Sequence, residues 1–401
     1  MNVRWQGRAS RSASTLSVTA RAGASDSGTV NRLSERSAAL PIHSRQFAAL
    51  LVTLLVLTTM PSSADAADVG QLITDAQVPG LSMAVIRNGG IETLTAAGVR
   101  NARDGAPIDP QTIFDAASLS KPVFAYAVLQ QIDAGALALD TPLSRYAPDY
   151  VPEDSRASTI TVRHVLSHSS GLPNWRTADL PLKTYFPPGE RFSYSGEGFV
   201  WLQRVAEAMT GDPIDVLLHR LVFEPLEMRH SSFVWKSTFD ANHADPHDAA
   251  LAPDLKKKPV TANTAASLQT TARDYTRFLQ AVLSGARLKP ETARLWLAPQ
   301  VTLRHRCVQC LASDMPEADT GVAWGLGWGL EPQSGTFFHW GDNDRGRFKA
   351  FAMGSLQGRS AVVVFTNGFN GMSIMPDLVE GTLPGAHPAF DWLSYPRFRR
   401  G

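Results

Sequence analysis

Only two of the 401 residues are cysteine, Cys307 and Cys310, and only 19% are charged. Two cysteines cannot build a disulfide-dense scaffold, nor by themselves a closed zinc site, which takes four ligands. Net charge is equally scarce, with 38 lysines and arginines against 37 acids and a balance of +1. Residues 1–66 carry 7 basic and 3 acidic residues, which leaves 31 basic against 34 acidic from position 67 onward. A polyanion-binding surface needs the opposite sign, so nucleic acid is not an expected partner. The single basic run, Lys256-Lys257-Lys258, reads as a solvated loop. No glycine-rich loop follows a strand pattern, and nucleotide binding therefore has no support. Nor does any apolar run reach the roughly 20 residues that a membrane span requires. What the chain does have is 44% hydrophobic residues, enough for a sizeable core, which excludes disorder, collagen and coiled coil.

Residues 47–60 form a 14-residue, charge-free, leucine-rich run preceded by Arg45. That length suits the core of a signal peptide, and Ala64-Asp65-Ala66 supplies the small-x-small pattern of a cleavage site. Cleavage after Ala66 and export follow as expectations, with no stable membrane anchor left afterwards. The remaining residues, 67–401, carry no linker or repeat and read as one domain. Two apolar runs at 81–87 and 91–98 flank Asn88-Gly89-Gly90, a strong hairpin signal. Residues 122–134 predict a buried helix closed by Gly135, and residues 272–283 an amphipathic one. Strands are expected at 325–330, 337–340, 348–353 and 360–366. The pattern predicts an α/β (α+β) sandwich: a mostly antiparallel sheet built from residues 67–145 and 268–401, flanked by helices, with a helical region, residues 146–267, inserted between.

Ser118-Leu119-Ser120-Lys121 is the first candidate for chemistry. A serine hydroxyl needs a neighbouring base or a positive field to act as a nucleophile. On a helix, a spacing of three puts Ser118 and Lys121 on one face. Pro122 suits a first turn and places Ser118 at the helix N-terminus, where free N–H groups favour negative charge.

The ten residues from Thr112 to Lys121, Thr-Ile-Phe-Asp-Ala-Ala-Ser-Leu-Ser-Lys, resemble the nucleophile motif of the serine β-lactamase and penicillin-binding-protein superfamily. The closest likeness is to its class C β-lactamase, DD-peptidase and esterase branch. Four more segments match in order: Val78-Pro79-Gly80-Leu81 with the hairpin; residues 135–143; residues 160–172, with Ser167-His168-Ser169-Ser170-Gly171; and residues 188–195, ending Ser193-Tyr194-Ser195. Together they extend over nearly the whole chain after Ala67. The resemblance implies a β-lactamase/transpeptidase-like fold, Ser118 as the acylated nucleophile, and Lys121 and Tyr194 as proton carriers. It implies His339-Trp340-Gly341 in the place of Lys-Thr-Gly. Gly341 would admit the substrate, and the backbone N–H of Asp342 would join that of Ser118 in an oxyanion hole. A tyrosine beside two positive groups is expected to have its pKa lowered and to act as a base.

The sequence departs from the family at one position of the second motif. Tyr194-Ser195-Gly196 lacks the asparagine expected two residues after the tyrosine, and Glu197 or Asn343 is the expected substitute in contacting substrate. Trp340 is expected to give a neutral acyl or alcohol group a flat apolar wall. His164 and His168 are four apart, but Val165 stands where a zincin needs glutamate, so no metal is expected. His243 and His247 read as solvated. Cys307-Val308-Gln309-Cys310 reads first as a local disulfide; zinc would need two more ligands, with only His305 nearby. The expectation is an exported serine hydrolase without cofactor, acting on an ester, a D-amino-acid peptide or, weakly, a β-lactam. A non-catalytic penicillin-binding-like sensor module of the same fold is the alternative, motivated by the missing asparagine.

Overall fold

A computed structural model describes residues 63–399. The apolar run at 47–60 lies outside the described residues, and the expected cleavage point after Ala66 falls in the first helix, α1 (Ser63–Asp75). Among the described residues no helix is long and apolar enough to cross a membrane.

The hairpin forms where the turn residues place it. Strands β1 (Gly80–Arg87) and β2 (Gly90–Gly98) pair antiparallel around Asn88 and Gly89, both at positive φ, as a tight turn between right-twisted strands demands. A short strand, β3 (Phe114–Asp115), then leads through a 3-10 turn (Ala117–Leu119) into α2 (Ser120–Asp133). The inserted region carries α3 (Val162–Leu166), α4 (Gly196–Thr210) and α5 (Ile214–Leu218) among long loops. The chain returns through β4 (Gln269–Thr270), which pairs with β3, and α6 (Ala272–Ser284), capped by Thr271 and ended by Gly285. Next come α7 (Pro290–Trp296), β5 (Val301–Thr302), β6 (Ala323–Trp324), β7 (Gly329–Glu331), β8 (Thr336–Asn343), β9 (Phe348–Ser355) and β10 (Ser360–Thr366). Helices α8 (Met375–Thr382) and α9 (Pro388–Leu393) close the described chain.

Eight strands make one antiparallel sheet in the order β2-β1-β10-β9-β8-β7-β6-β5. Both chain ends supply it, so residues about 280 apart in sequence become neighbours: Leu81 faces Thr366 and Ile86 faces Ala361. The strand period of two then sorts side chains to opposite faces. Ala84, Ile86, Val363 and Phe365 join one core with α2 and α6. Met83, Val85, Val362 and Val364 join a second core with α1, α8 and α9.

Of the strand expected at 325–330, only 329–330 is strand, within β7; residues 325–328 form the turn between β6 and β7. Gly327 forces the break. At φ +95° it brings its backbone against α2, where a Cβ would lie 2.7 Å from that of Ala125. His247 is likewise not solvated. It is fully buried, Nδ1 meeting the carbonyl of Asn367 at 3.0 Å and Nε2 accepting from the N–H of Ala102 at 3.0 Å. It ties the inserted region to the end of β10.

Candidate active site

Ser118 sits in the 3-10 turn that opens α2, and three side chains hold that turn. Ala117, just before it, has φ +49°, a region that costs a residue with a Cβ about 1–3 kcal/mol. Asp115 offsets this strain by accepting the N–H of Ala117 at 2.8 Å. Ser120, fully buried, donates to the carbonyl of Ala117 at 2.6 Å and accepts from the N–H of Leu268 at 3.0 Å. Lys256 supplies the countercharge to Asp115, 3.5 Å away, with its ammonium 4.2 Å from the ring centre of Phe348. The reading of a solvated basic run is therefore corrected for Lys256, which is buried because a carboxylate waits for it. Lys257 and Lys258 are exposed, as expected.

Lys121 is fully buried, and its Nζ donates to Ser118 Oγ at 3.1 Å and to the carbonyl of Ala265 at 2.7 Å. The aromatic rings of Tyr194 and Phe199 lie 4.7 and 5.6 Å from it. Among the described residues no carboxylate pairs with it, and burial pushes its pKa well below the usual lysine range. The amine is driven toward its neutral form, which has a lone pair to offer the serine.

Tyr194 lies against this pair. Its hydroxyl is buried without a hydrogen bond of full geometry, and the Ser118 side chain is the group that favours its ionisation. Burial outweighs that influence and holds the phenol above its ordinary range, a direction Tyr395 reinforces. The expectation of a lowered tyrosine pKa is thus reversed: the neighbouring Lys121 and His339 are themselves pushed down by burial. His339 is fully buried, and burial, with Lys121 beside it, lowers its pKa to about 3 against the hydrogen bond to the Trp340 carbonyl. Tyr194 holds its proton in the resting site and is placed to give it.

The substitutes proposed for the missing asparagine are engaged elsewhere. Glu197 is buried at the start of α4, accepting from the Tyr150 hydroxyl at 2.5 Å and from Arg176 through its backbone N–H, Nε and Nη2 at 3.0, 3.0 and 2.6 Å. Those donors hold its pKa down despite burial, and the expected substrate role is corrected to that of a clamp. Asn343 donates to both oxygens of Asp115 at 3.2 Å and to the carbonyl of Ala266 at 3.4 Å, which makes it part of the nucleophile's support. The second acceptor of the Lys121 amine, beside Ser118, is the Ala265 carbonyl.

Strand β8 spans the strand expected at 337–340 and carries His339, Trp340 and Gly341. Strand β7 pairs with β8 only as far as Phe338, so His339 to Asn343 have no strand partner on that edge. The nucleophile turn packs against β8, and a Cβ on Gly341 would lie 2.6 Å from the Ala116 carbonyl oxygen and 3.0 Å from the Ala117 Cβ. Gly341 thus admits the backbone of the nucleophile turn. Trp340 alternates with it onto the second core, only 6% exposed, its ring centre 5.0 Å from that of Tyr194 and 5.6 Å from that of Trp392. It supports the tyrosine; it is not the exposed wall expected for substrate. Asp342 pairs its carboxylate with Lys349 at 2.6 Å and accepts from the Tyr395 hydroxyl at 3.1 Å.

Two further contacts steady the Tyr194 segment. Cys307 and Cys310 form a disulfide whose loop accepts the Tyr194 N–H at the Val308 carbonyl, 2.9 Å, while the Cys310 N–H donates to Ser193 Oγ at 2.9 Å. His168 stacks on the tyrosine ring at 4.2 Å between centres, accepts the Ser195 N–H at Nδ1 (3.0 Å) and the Ser193 N–H at its carbonyl (2.7 Å). His164 completes a capping box with Thr161 at the start of α3. A cavity of about 470 Å³ opens beside Arg191 and Arg304, and Ser118, Lys121 and Tyr194 are all absent from its lining.

Asp115, Ser120 and Lys256 were not read from sequence as supports of the nucleophile turn. Only Asp115 carried a signal, since an aspartate two residues before an alanine can close an Asx-turn on its N–H.

Residues 66–379 match the family model described as Beta-lactamase. Penicillin-binding protein 4 of Amycolatopsis lactamdurans is 28% identical over 281 residues, 65% of this chain and 73% of its own length. Esterase EstB of Burkholderia gladioli is 32% identical over 196 residues, 41% of this chain and 49% of its own. The solved structure of EstCE1, titled a hydrolase with promiscuous acyltransferase activity, superposes with a TM-score of 0.67 at 20% identity. That match covers 80% of this chain and 98% of EstCE1.

Proposed function

The chain belongs to the beta-lactamase family and is a serine hydrolase; from that premise we propose that it is exported and transfers the acyl group of uncharged esters to water through an acyl-enzyme on Ser118. The observation that carries this reading is the buried, carboxylate-free amine of Lys121, 3.1 Å from Ser118 Oγ. Export rests on the leucine-rich run at 47–60 and the small-x-small pattern ending at Ala66.

Neutral Lys121 takes the Ser118 proton as Oγ attacks the ester carbonyl, and the carbonyl π pair moves onto oxygen. The N–H groups of Ser118 and Asp342 hold that oxyanion. As the tetrahedral adduct collapses, its C–O bond to the alcohol breaks; Tyr194 protonates the leaving oxygen and recovers its proton from Lys121. Water then attacks the acyl-enzyme and gives a proton back along the same path. The ester bond to Ser118 breaks, the acid leaves, and Ser118 is regenerated.

Uncharged substrates are favoured because His339 brings no charge to the strand that lies beside the reacting carbonyl. Lysine-bearing third motifs offer a cation there to the carboxylate of a β-lactam or a D-alanine-terminated peptide. A histidine held neutral by burial does not, and the carboxylate of Asp342 stands three residues beyond. The name of EstB, the relative at 32% identity, agrees with the ester reading. A hydrogen bond to a charged group contributes roughly 1.5–3 kcal/mol, so losing one costs at least about tenfold. The expected result is a kcat/KM for p-nitrophenyl butyrate at least about tenfold above those for a chromogenic cephalosporin and a D-alanyl-D-alanine peptide. If either anionic substrate is turned over better than the ester, the reading is wrong.

A further inference from the structure

Gly196 stands where the second motif of the family carries asparagine, and its missing side chain has a neighbour. A Cβ built on Gly196 would lie 2.7 and 2.8 Å from Cη2 and Cζ2 of Trp175, and 2.9 Å from the carbonyl oxygen of Asn174. The indole edge therefore fills the space into which any side chain at position 196 would project. Both cannot be present without the loop moving.

The loop is held against moving. The Asn174 carbonyl accepts the N–H groups of Gly196 and Glu197 at 3.1 and 3.0 Å, and its side-chain oxygen accepts that of Gly196 at 2.9 Å. Ser195 Oγ donates to the Pro173 carbonyl at 2.8 Å. On the other side of Trp175, Arg176 is fixed to Glu197 by its backbone N–H and its guanidinium, and Tyr150 completes that pair. Trp175 thus sits between two residues clamped to the N-terminal turn of α4, with little rotational freedom left to lose on binding. Trp175 is nevertheless 39% exposed, although Phe192, Tyr194 and Phe199, close to Gly196 in sequence, are buried. A fixed, partly exposed aromatic edge, two residues from Tyr194 through Gly196, is a ready apolar contact surface.

We propose that Trp175 is a specificity-determining residue: it replaces the amide-recognising side chain of the second motif with an apolar surface that selects acyl groups by their hydrocarbon extent. An indole edge offers no carbonyl to a substrate amide N–H, and it gains from each methylene that packs on it. The inference rests on the ester-hydrolase reading and names the part of the substrate that Trp175 meets.

The test uses p-nitrophenyl acetate, butyrate and hexanoate with the full-length protein and Trp175→Ala. The wild type should favour the longer chains, and Trp175→Ala should lose about tenfold of the hexanoate preference over acetate, carried mainly in KM. Its acetate turnover should stay within about twofold of wild type. If Trp175→Ala does not fold, Trp175→Gln, which keeps part of the bulk but removes the apolar face, must show the same loss. Trp175→Phe should restore the preference. An unchanged chain-length profile in a folded, ester-active variant overturns the inference alone. Wild-type protein that hydrolyses none of the three esters overturns the ester-hydrolase reading as well.

Discussion

Exchanging Lys121 for methionine is expected to lower kcat for ester hydrolysis by about 10²–10⁴-fold, the span of a lost general base. Folding should not suffer. Methionine keeps the length of the side chain and removes an amine that burial penalises, and replacing buried charge-bearing groups by apolar ones of similar volume is often neutral or stabilising. Two hydrogen bonds are lost, to Ser118 Oγ and the Ala265 carbonyl, and among the described residues the amine makes no others. The pH dependence carries a second signature. Because the folded-state pKa of Lys121 is depressed below its ordinary 10.5, the unfolded chain holds one more proton between those two values. Stability from this group therefore rises with pH across that window and is lost as pH falls through it. Activity falls in the same direction, since the protonated amine cannot accept from Ser118. Chemical denaturation of wild type and Lys121→Met at several pH values reads the slope; a variant with unchanged slope would show that the amine is charged in the folded protein.

Tyr194→Phe should cost about 10²–10⁴-fold in the acylation rate for an alkyl ester, with KM little changed. The size depends on the leaving group. Burial holds the phenol protonated, so its task is to deliver a proton to a departing alkoxide. p-Nitrophenolate leaves without that help. Single-turnover acylation should therefore show a much smaller loss for a p-nitrophenyl ester than for the corresponding methyl ester. Equal losses on both would mean that the tyrosine acts on the serine and not on the leaving oxygen. Phenylalanine preserves the stack on His168 and the contact with Trp340, which keeps the effect chemical and not structural.

Features set by local chemistry were legible in the sequence. Asn88-Gly89 fixed the hairpin, the spacing of Ser118 and Lys121 fixed their shared face, and the amphipathic pattern of residues 272–283 marked α6. What escaped depends on partners far along the chain. Lys256 looks solvated until Asp115, 141 residues away in sequence, is brought beside it. Glu197 reads as a free substrate contact until Arg176, on a loop 21 residues earlier, closes on it. Trp340 was misread for another reason: both faces of β8 are buried, so alternation separates its side chains into two sets without saying which set meets substrate. Helices α7, α8 and α9 are six to eight residues long, too short for a 3.6-residue period to show, and α7 and α9 begin at a proline.

The central claim is that Ser118, and no other hydroxyl, receives the acyl group. Ser120 is the natural control, two residues away but buried, with its hydroxyl committed to Ala117 and Leu268. The direct measurement is intact mass and peptide mapping after treatment with a fluorophosphonate serine probe. The expected result is one adduct per chain, mapped to Ser118, absent from Ser118→Ala and slowed in Lys121→Met. An adduct on Ser120, or labelling that persists in Ser118→Ala, would contradict the account.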